Sequence, residues 1–155
     1  MAVLTISDAS WMKMRKDESG PAVKARLEAR GWEVPLLEVL PDERPMIAAR
    51  LKELADSGAY HAIWTTGGTG PAPRDVTPEA TRDAIERDFP GQAELMRAEG
   101  RKITPFAALS RAVCGIRGAT LMVNLPGSPK GAVESMDAIL ELIPAILNLL
   151  RPGKD

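Results

Sequence analysis

Short β-rich runs alternate with helical patterns along this chain. The alternation predicts an α/β fold, a three-layer α/β/α sandwich in which helices cover both faces of a mostly parallel sheet. It persists from residue 3 to residue 150, and no internal repeat, low-complexity tract or long linker interrupts it. With 155 residues, 45 % apolar and 26 % charged, the chain has the size and make-up of one domain with a buried core. Residues 1–155 are accordingly read as a single domain.

Residues 3–6 read as the first strand, and the polar residues 7–20 as a loop. Pro21 suits the first turn of a helix and Gly31 its end, with Val23 and Leu27 on one face between them. Residues 32–40 read as the second strand; Pro35 makes it an edge candidate because proline cannot donate to a neighbour. In residues 45–56, Ile47, Leu51 and Leu54 recur at helical spacing, and Ser57-Gly58 is a stop. Residues 60–66 read as the third strand, followed at once by Gly67-Gly68-Thr69-Gly70. Thr77, with Pro78 behind it, reads as the N-cap of a helix running to about Asp88. Residues 91–102 read as another helix. Residues 112–114 and 120–125 read as strands joined by a turn at 115–118. A final helix is expected over residues 129–150, buried through Val133, Met136, Leu140, Ile143 and Leu147 and kinked at Pro144.

Lys plus Arg number 20 and Asp plus Glu number 21, a net charge of −1. This near balance offers no footprint for nucleic acid or an anionic membrane. An anionic ligand must then be held by local geometry, through backbone N–H groups or a metal. Cys114 is the only cysteine, so no disulfide can form within the chain, and the reducing cytoplasm is the expected compartment. The first eight residues lack the charged and apolar regions of a secretory leader. The longest apolar stretch, residues 139–150, is interrupted by Glu141 and Pro144 and is too short to cross a bilayer.

In an open parallel sheet, ligands bind beyond the C-terminal ends of the strands. Four polar or glycine-rich segments fall at such ends: Ser7-Asp8, Pro41-Asp42-Glu43, residues 66–75 and residues 124–131. Thr66-Gly67-Gly68-Thr69-Gly70 can bring several backbone N–H groups close to a phosphate, and it also reads as a plain tight turn. It is neither a P-loop nor the dinucleotide fingerprint, for it lacks both the Gly-Lys-Ser/Thr sequel and the third glycine spacing. Asp42 and Asp75 each read as a carboxylate favoured near a helix start, or together as ligands for Mg²⁺ facing phosphates. Ser128 reads as an N-cap; the same helix start can bind an anion, with Lys130 adding charge. Arg111 suits a phosphate or a surface acid. His61, within the third strand, and Cys114, in the core, read as structural, and nothing resembles a Ser-His-Asp or Cys-His constellation.

Four segments in this order and spacing carry a resemblance: Thr65-Thr66-Gly67-Gly68-Thr69-Gly70; Pro73-Arg74-Asp75-Val76-Thr77-Pro78-Glu79-Ala80; Leu109-Ser110-Arg111; and Asn124-Leu125-Pro126-Gly127-Ser128-Pro129-Lys130-Gly131. The chain resembles, over nearly its whole length, the MogA/MoaB-like proteins of molybdenum-cofactor biosynthesis. The resemblance implies that family's three-layer α/β/α fold, usually as a homotrimer, and a molybdopterin adenylyltransferase. Such enzymes use Mg²⁺ and ATP to place AMP on the terminal phosphate of molybdopterin, releasing pyrophosphate, and the product passes to a molybdate-inserting enzyme. Carried over by motif, Asp42 and Asp75 match the catalytic, metal-holding carboxylates. Thr66, Gly67, Gly68, Thr69 and Gly70, with Ser7 and Asp8, match the nucleotide and phosphate site. Arg111, Pro126, Gly127, Ser128 and Lys130 match the pterin and phosphate rim. No covalent nucleophile is needed, because the acceptor's own phosphate attacks. The chain departs from the family after Ser7-Asp8, where an arginine and a later glycine are usual: Ala9 and Lys13 stand there. Asp17 and Ser19-Gly20 fit the family pattern. The alternative is a non-catalytic molybdopterin-binding or carrier protein of the same family, against which the retention of both Asp42 and Asp75 weighs. Residues 124–131 weigh against a generic nucleotide-binding domain.

Overall fold

The computed structural model describes residues 1–153. Its sheet is built from β1 (Ala2–Ile6), β2 (Leu36–Leu40), β3 (Ala62–Thr66), β4 (Arg87–Asp88), β5 (Cys114–Arg117) and β6 (Thr120–Leu125), in the spatial order β2-β1-β3-β6-β5-β4. The first four in that order run parallel; β5 is antiparallel to β6, and β4 to β5. The helices are α1 (Asp8–Trp11), α2 (Ser19–Ala29), α3 (Arg44–Asp56), α4 (Thr77–Ala84), α5 (Pro90–Arg101), α6 (Pro129–Asp137) and α7 (Ile143–Leu150). Two 3₁₀ turns, Pro105–Leu109 and Leu140–Leu142, complete the described chain.

The central strands β1, β3 and β6 are buried on both faces, as strands of continuous apolar character require. Val3, Trp64 and Val123 alternate onto one face, where α2, α5, α6 and α7 supply Val23, Leu27, Met96, Met136 and Ile143. Leu4, Ile63 and Met122 alternate onto the other, against Ile47 and Leu51 of α3 and Ala80 and Ala84 of α4. Cys114 is 1 % exposed in the first of these cores, and burial pushes its thiol up to about 12. Asn124 ties the layers together beneath the rim. Its Nδ2 donates to Thr65 Oγ1 and Thr81 Oγ1, both at 2.9 Å, and its Oδ1 accepts from the Val113 amide at 3.0 Å. Among the described residues no helix is long and apolar enough to cross a membrane.

Several expected boundaries move, each for a local reason. The segment after β1 holds a single helical turn, α1, because Ser7 Oγ caps it by accepting from Ser10 N at 3.2 Å. Helix α2 begins at Ser19, ahead of Pro21, since Asp17 Oδ1 accepts the Gly20 amide at 3.1 Å. Strand β2 starts only after Pro35, with Leu36 opposite Ala2, and it is the sheet edge that Pro35 suggested. His61 lies one residue ahead of β3 and is exposed, its carbonyl accepting from Leu121 N at 3.1 Å. Helix α4 stops at Ala84, and residues 87–88 form β4 against β5. Thr77 is inside α4 rather than capping it, its hydroxyl committed to the Gly67 carbonyl at 2.9 Å. The turn before β6 sits at Gly118, φ +58°, and Gly115 lies within β5, opposite Met122, where a Cβ would meet Ile85 Cδ1 at 2.6 Å. The last helix is two helices: Pro144 opens α7 instead of kinking a longer one. Of its expected stripe, Met136, Leu140 and Ile143 are fully buried and Val133 and Leu147 partly so.

Candidate active site

Because β1, β2, β3 and β6 are parallel, the loops leaving their C-terminal ends meet on one edge of the sheet. They enclose a polar cleft of about 470 Å³. Ser7 enters it from β1, Asp42 from β2, Gly67 and Gly68 from β3, and Gly127 and Ser128 from β6; Asp75 closes it from the loop before α4.

The glycine loop is held in one shape. Gly67 (φ +103°) and Gly68 (φ +67°) adopt backbone conformations that favour glycine. The Gly67 amide donates to the Leu125 carbonyl at 3.0 Å, and Thr77 N donates to the Gly68 carbonyl at 3.2 Å. The loops from β3 and β6 touch backbone to backbone: a Cβ on Gly127 would lie 3.3 Å from the Gly67 Cα. Thr66 Oγ1 adds a bond of 2.6 Å to the Pro126 carbonyl. The amides of Gly68, Thr69 and Gly70 meet no acceptor among the described residues. They are the donors this loop has to offer an anion.

The two carboxylates flank that loop. A Cβ on Gly68 would lie 3.0 Å from Asp42 Oδ1, and one on Gly70 would lie 2.9 Å from Asp75 Oδ2. Asp75 Oδ2 accepts from Ala72 N at 3.0 Å. Asp42 and Asp8 clasp each other: Asp8 N donates to Asp42 Oδ2 and Asp42 N to Asp8 Oδ1, each at 2.9 Å. Arg74 then grips Asp8 with Nε and Nη2 at 3.0 Å and reaches Glu43 at 3.1 Å. Burial raises the Asp42 carboxyl above the ordinary range, and the like charges of Asp8 and Asp75 raise it further. Partial burial would do the same to Asp8, but the bond from the Asp42 amide and the Arg74 guanidinium outweigh it and hold Asp8 low. Among the described residues no three His, Cys, Asp or Glu side chains gather as a metal cage. A cation between Asp42 and Asp75 would therefore complete its shell with phosphate oxygens and water, the donor set that Mg²⁺ prefers.

Arg111 braces the same region from outside. Its Nε donates to the Gly70 carbonyl at 2.9 Å, its Nη2 to the Asp75 carbonyl at 2.8 Å and its Nη1 to Glu79 at 2.7 Å. Beyond Ser128 lies a second cleft of about 340 Å³, lined mainly by apolar groups such as Met96, Phe106, Leu109 and Pro126.

Residues 2–147 match the family described as the probable molybdopterin binding domain. The chain belongs to this molybdopterin-binding family. It is 40 % identical over 141 residues to a molybdopterin adenylyltransferase of Haemophilus influenzae, covering 90 % of this chain and 72 % of that one. It is 42 % identical over 149 residues to the molybdenum cofactor synthesis protein cinnamon of Drosophila melanogaster, covering 96 % of this chain but only 25 % of that protein. The crystal structure of the molybdopterin biosynthesis enzyme MoaB from Thermus thermophilus superposes with a TM-score of 0.92 at 50 % identity, covering 99 % of this chain and 96 % of that one. A tungsten cofactor synthesizing protein MoaB from Pyrococcus furiosus gives 0.86 at 30 % identity, over 97 % and 95 % of the two chains.

In this molybdopterin-binding domain, the residues singled out from sequence do not all reach one place. Ser7, Thr66, Gly67, Gly68, Asp42, Asp75, Gly127 and Ser128 line the polar cleft, and Asp8 joins through Asp42. Thr69, Gly70 and Pro126 line the apolar cleft, which Ser128 also borders while its Oγ caps α6 by accepting from Gly131 N at 3.1 Å. Arg111 and Lys130 line neither: Arg111 is the brace described above, and Lys130 is 84 % exposed beside Glu134 at 3.8 Å. Sequence reasoning passed over Arg15 and Lys16, which line the polar cleft, and the part played by Arg74. Spacing gives no signal for these; only tertiary placement distinguishes them from other surface cations. Asp17 was singled out only as fitting the family pattern; the structure shows its carboxylate accepting from Gly20 N at 3.1 Å at the start of α2 and from Thr5 Oγ1 at 2.8 Å.

Proposed function

We propose that this domain transfers AMP from ATP to the terminal phosphate of molybdopterin with release of pyrophosphate, as a molybdopterin adenylyltransferase. One observation carries the reading: two carboxylates, one raised by burial and by its neighbours' charge, flank a glycine loop with free amides where four parallel strands end. A molybdopterin phosphate oxygen attacks the α-phosphorus of ATP. The bond from that phosphorus to the bridging oxygen breaks, and pyrophosphate leaves with the electron pair. Mg²⁺ held by Asp42 and Asp75 would supply charge neutralisation at the reacting phosphates. The amides of Gly68, Thr69 and Gly70, with the Ser7 hydroxyl, receive phosphate oxygens. Gly67 and Thr66 shape the loop, and Asp8 aligns Asp42. Arg111 serves the pterin and phosphate rim by fixing Gly70 and Asp75; Pro126, Gly127 and Ser128 form the rim itself, and Lys130, outside both clefts, adds only long-range charge. The apolar cleft beside Ser128 suits one of the two flat heterocycles.

The whole of residues 1–155 acts as one catalytic domain in this reading. It works in the cytoplasm as a homotrimer and hands its product to a molybdate-inserting enzyme. The exposed apolar groups Ile103, Phe106 and Leu109 support the trimer, which light scattering at micromolar concentration tests. The carrier alternative is not favoured, since a carrier needs no pair of metal-holding carboxylates. Pyrophosphate release from ATP and Mg²⁺, with and without molybdopterin, is the deciding assay. Release that requires molybdopterin and disappears in Asp75→Asn supports the transferase. Tight molybdopterin binding with no release refutes it.

A further inference from the structure

The polar cleft contains four acids, Asp17, Glu18, Asp42 and Asp75, and two cations, Arg15 and Lys16. A divalent metal between Asp42 and Asp75 cancels only those two carboxylates. The charge of a triphosphate then remains to be met by the loop amides and by whatever cations reach the cleft. Arg44, Arg50, Arg74, Arg111 and Arg117 are already held by carboxylates. Among the described residues, the side chains of Arg15 and Lys16 make no hydrogen bond or ion pair.

Their backbone is anchored on both sides. Met14 N and Arg15 N donate to the Ala9 carbonyl at 2.8 Å and 3.3 Å, and Asp17 is pinned by Thr5 Oγ1 at 2.8 Å and by Gly20 N at 3.1 Å. The two cations thus sit on a short strap fixed at each end, in the lining they share with Gly67, Gly68 and Gly127. A guanidinium presents a fork matched to phosphate oxygens, and an ammonium adds a compact charge.

We infer that Arg15 and Lys16 bind the polyphosphate chain of the nucleotide, as the cationic half of a site whose other half is the glycine-loop amides. The inference rests on the transferase reading for the ligand's identity, while its chemistry can be tested without turnover. Isothermal titration of inorganic tripolyphosphate with Mg²⁺ compares wild type, Arg15→Ala/Lys16→Ala and Arg30→Ala/Arg101→Ala. The last removes equal charge from exposed positions outside the cleft. The expected result is binding by wild type and control alike, and binding weaker by about tenfold or more, with reduced salt dependence, in the Arg15/Lys16 variant. If thermal melting shows that variant unfolded, Arg15→Gln/Lys16→Gln takes its place. Equal affinity in the cleft variant and wild type, or no binding by wild type, overturns the inference. Loss of binding in the cleft variant, together with a wild type that never releases pyrophosphate, overturns the transferase reading and leaves the cation site standing.

Discussion

Replacing Gly68 by alanine tests the close fit of the glycine loop against both the core and a carboxylate. Gly68 has φ +67°, and its added methyl would collide with Thr77 Oγ1 and lie 3.0 Å from Asp42 Oδ1. Thr77 is fully buried and its hydroxyl is bonded to the Gly67 carbonyl, so it cannot swing aside without breaking that bond. Gly58 is the internal control: its φ is +73°, but nothing lies within 4 Å of its added Cβ. Gly58→Ala therefore suffers the left-handed backbone alone, about 1–2 kcal/mol, partly offset by reduced freedom of the unfolded chain. Gly68→Ala suffers the same strain, the lost Thr77 bond of about 1 kcal/mol and a packing clash of about 1 kcal/mol or more, roughly 3 kcal/mol in all. At about 2–4 °C per kcal/mol, the Tm should fall by about 6–12 °C for Gly68→Ala and by about 2–4 °C for Gly58→Ala. Gly91, in α5 with open space around it, should tolerate alanine or gain slightly. Thermal unfolding followed by circular dichroism reads all three. Equal melting of the Gly58 and Gly68 variants would mean that the methyl finds room, and the packing of the loop against Thr77 and Asp42 would be refuted.

Three further outcomes are expected. In the proposed mechanism the cation is held by ionised Asp42, whose carboxyl is raised, so transfer should fail on acidification at a higher pH than an ordinary carboxylate sets. Asp8→Asn removes one of the raising charges and should move that acid limb to lower pH; a limb that stays put contradicts the coupling. Arg111→Ala should cost only about 1 kcal/mol of stability because its side chain is 40 % exposed and solvent screens it. Yet kcat should drop about tenfold to a hundredfold through misplacement of Gly70 and Asp75, and Arg111→Lys should not rescue it, since an ammonium cannot span three partners. An unchanged kcat counts against the brace. Lys13 is the one non-glycine residue with positive φ among those described, at +58°. Lys13→Gly should raise stability by a few tenths to about 1 kcal/mol, and a loss measured by melting would show that the lysine is kept there by a contact.

Periodicity and strand-end logic made the layers and the meeting of four loops legible in the sequence. Short β-rich runs located β1, β3 and β6, and Pro35 marked the edge strand. What escaped was set by tertiary contact. Strand β4 has two exposed residues, Arg87 and Asp88, and exists only because β5 offers it an edge. Gly115 looked like a turn residue, yet it is small because Ile85 packs onto it. Thr77 looked like a cap, but its hydroxyl reaches back ten residues to Gly67. At the site, the carboxylates and glycines were visible as types in a spacing. The clasp of Asp8 with Asp42, the grip of Arg74 and the Arg111 brace were not, because each joins segments more than thirty residues apart. Lys13 was visible as an oddity of sequence, and its left-handed backbone gives the oddity a physical meaning.

Ser128 borders both clefts, so the polar and the apolar compartments are neighbours and not separate pockets. Two weak fragments, one anionic and one flat and apolar, could be joined across that serine by a short tether. Once either end has docked, the other is presented at an effective concentration in the millimolar range, and their affinities compound without any new contact. The wall between the compartments is thus a natural attachment point for a two-headed inhibitor.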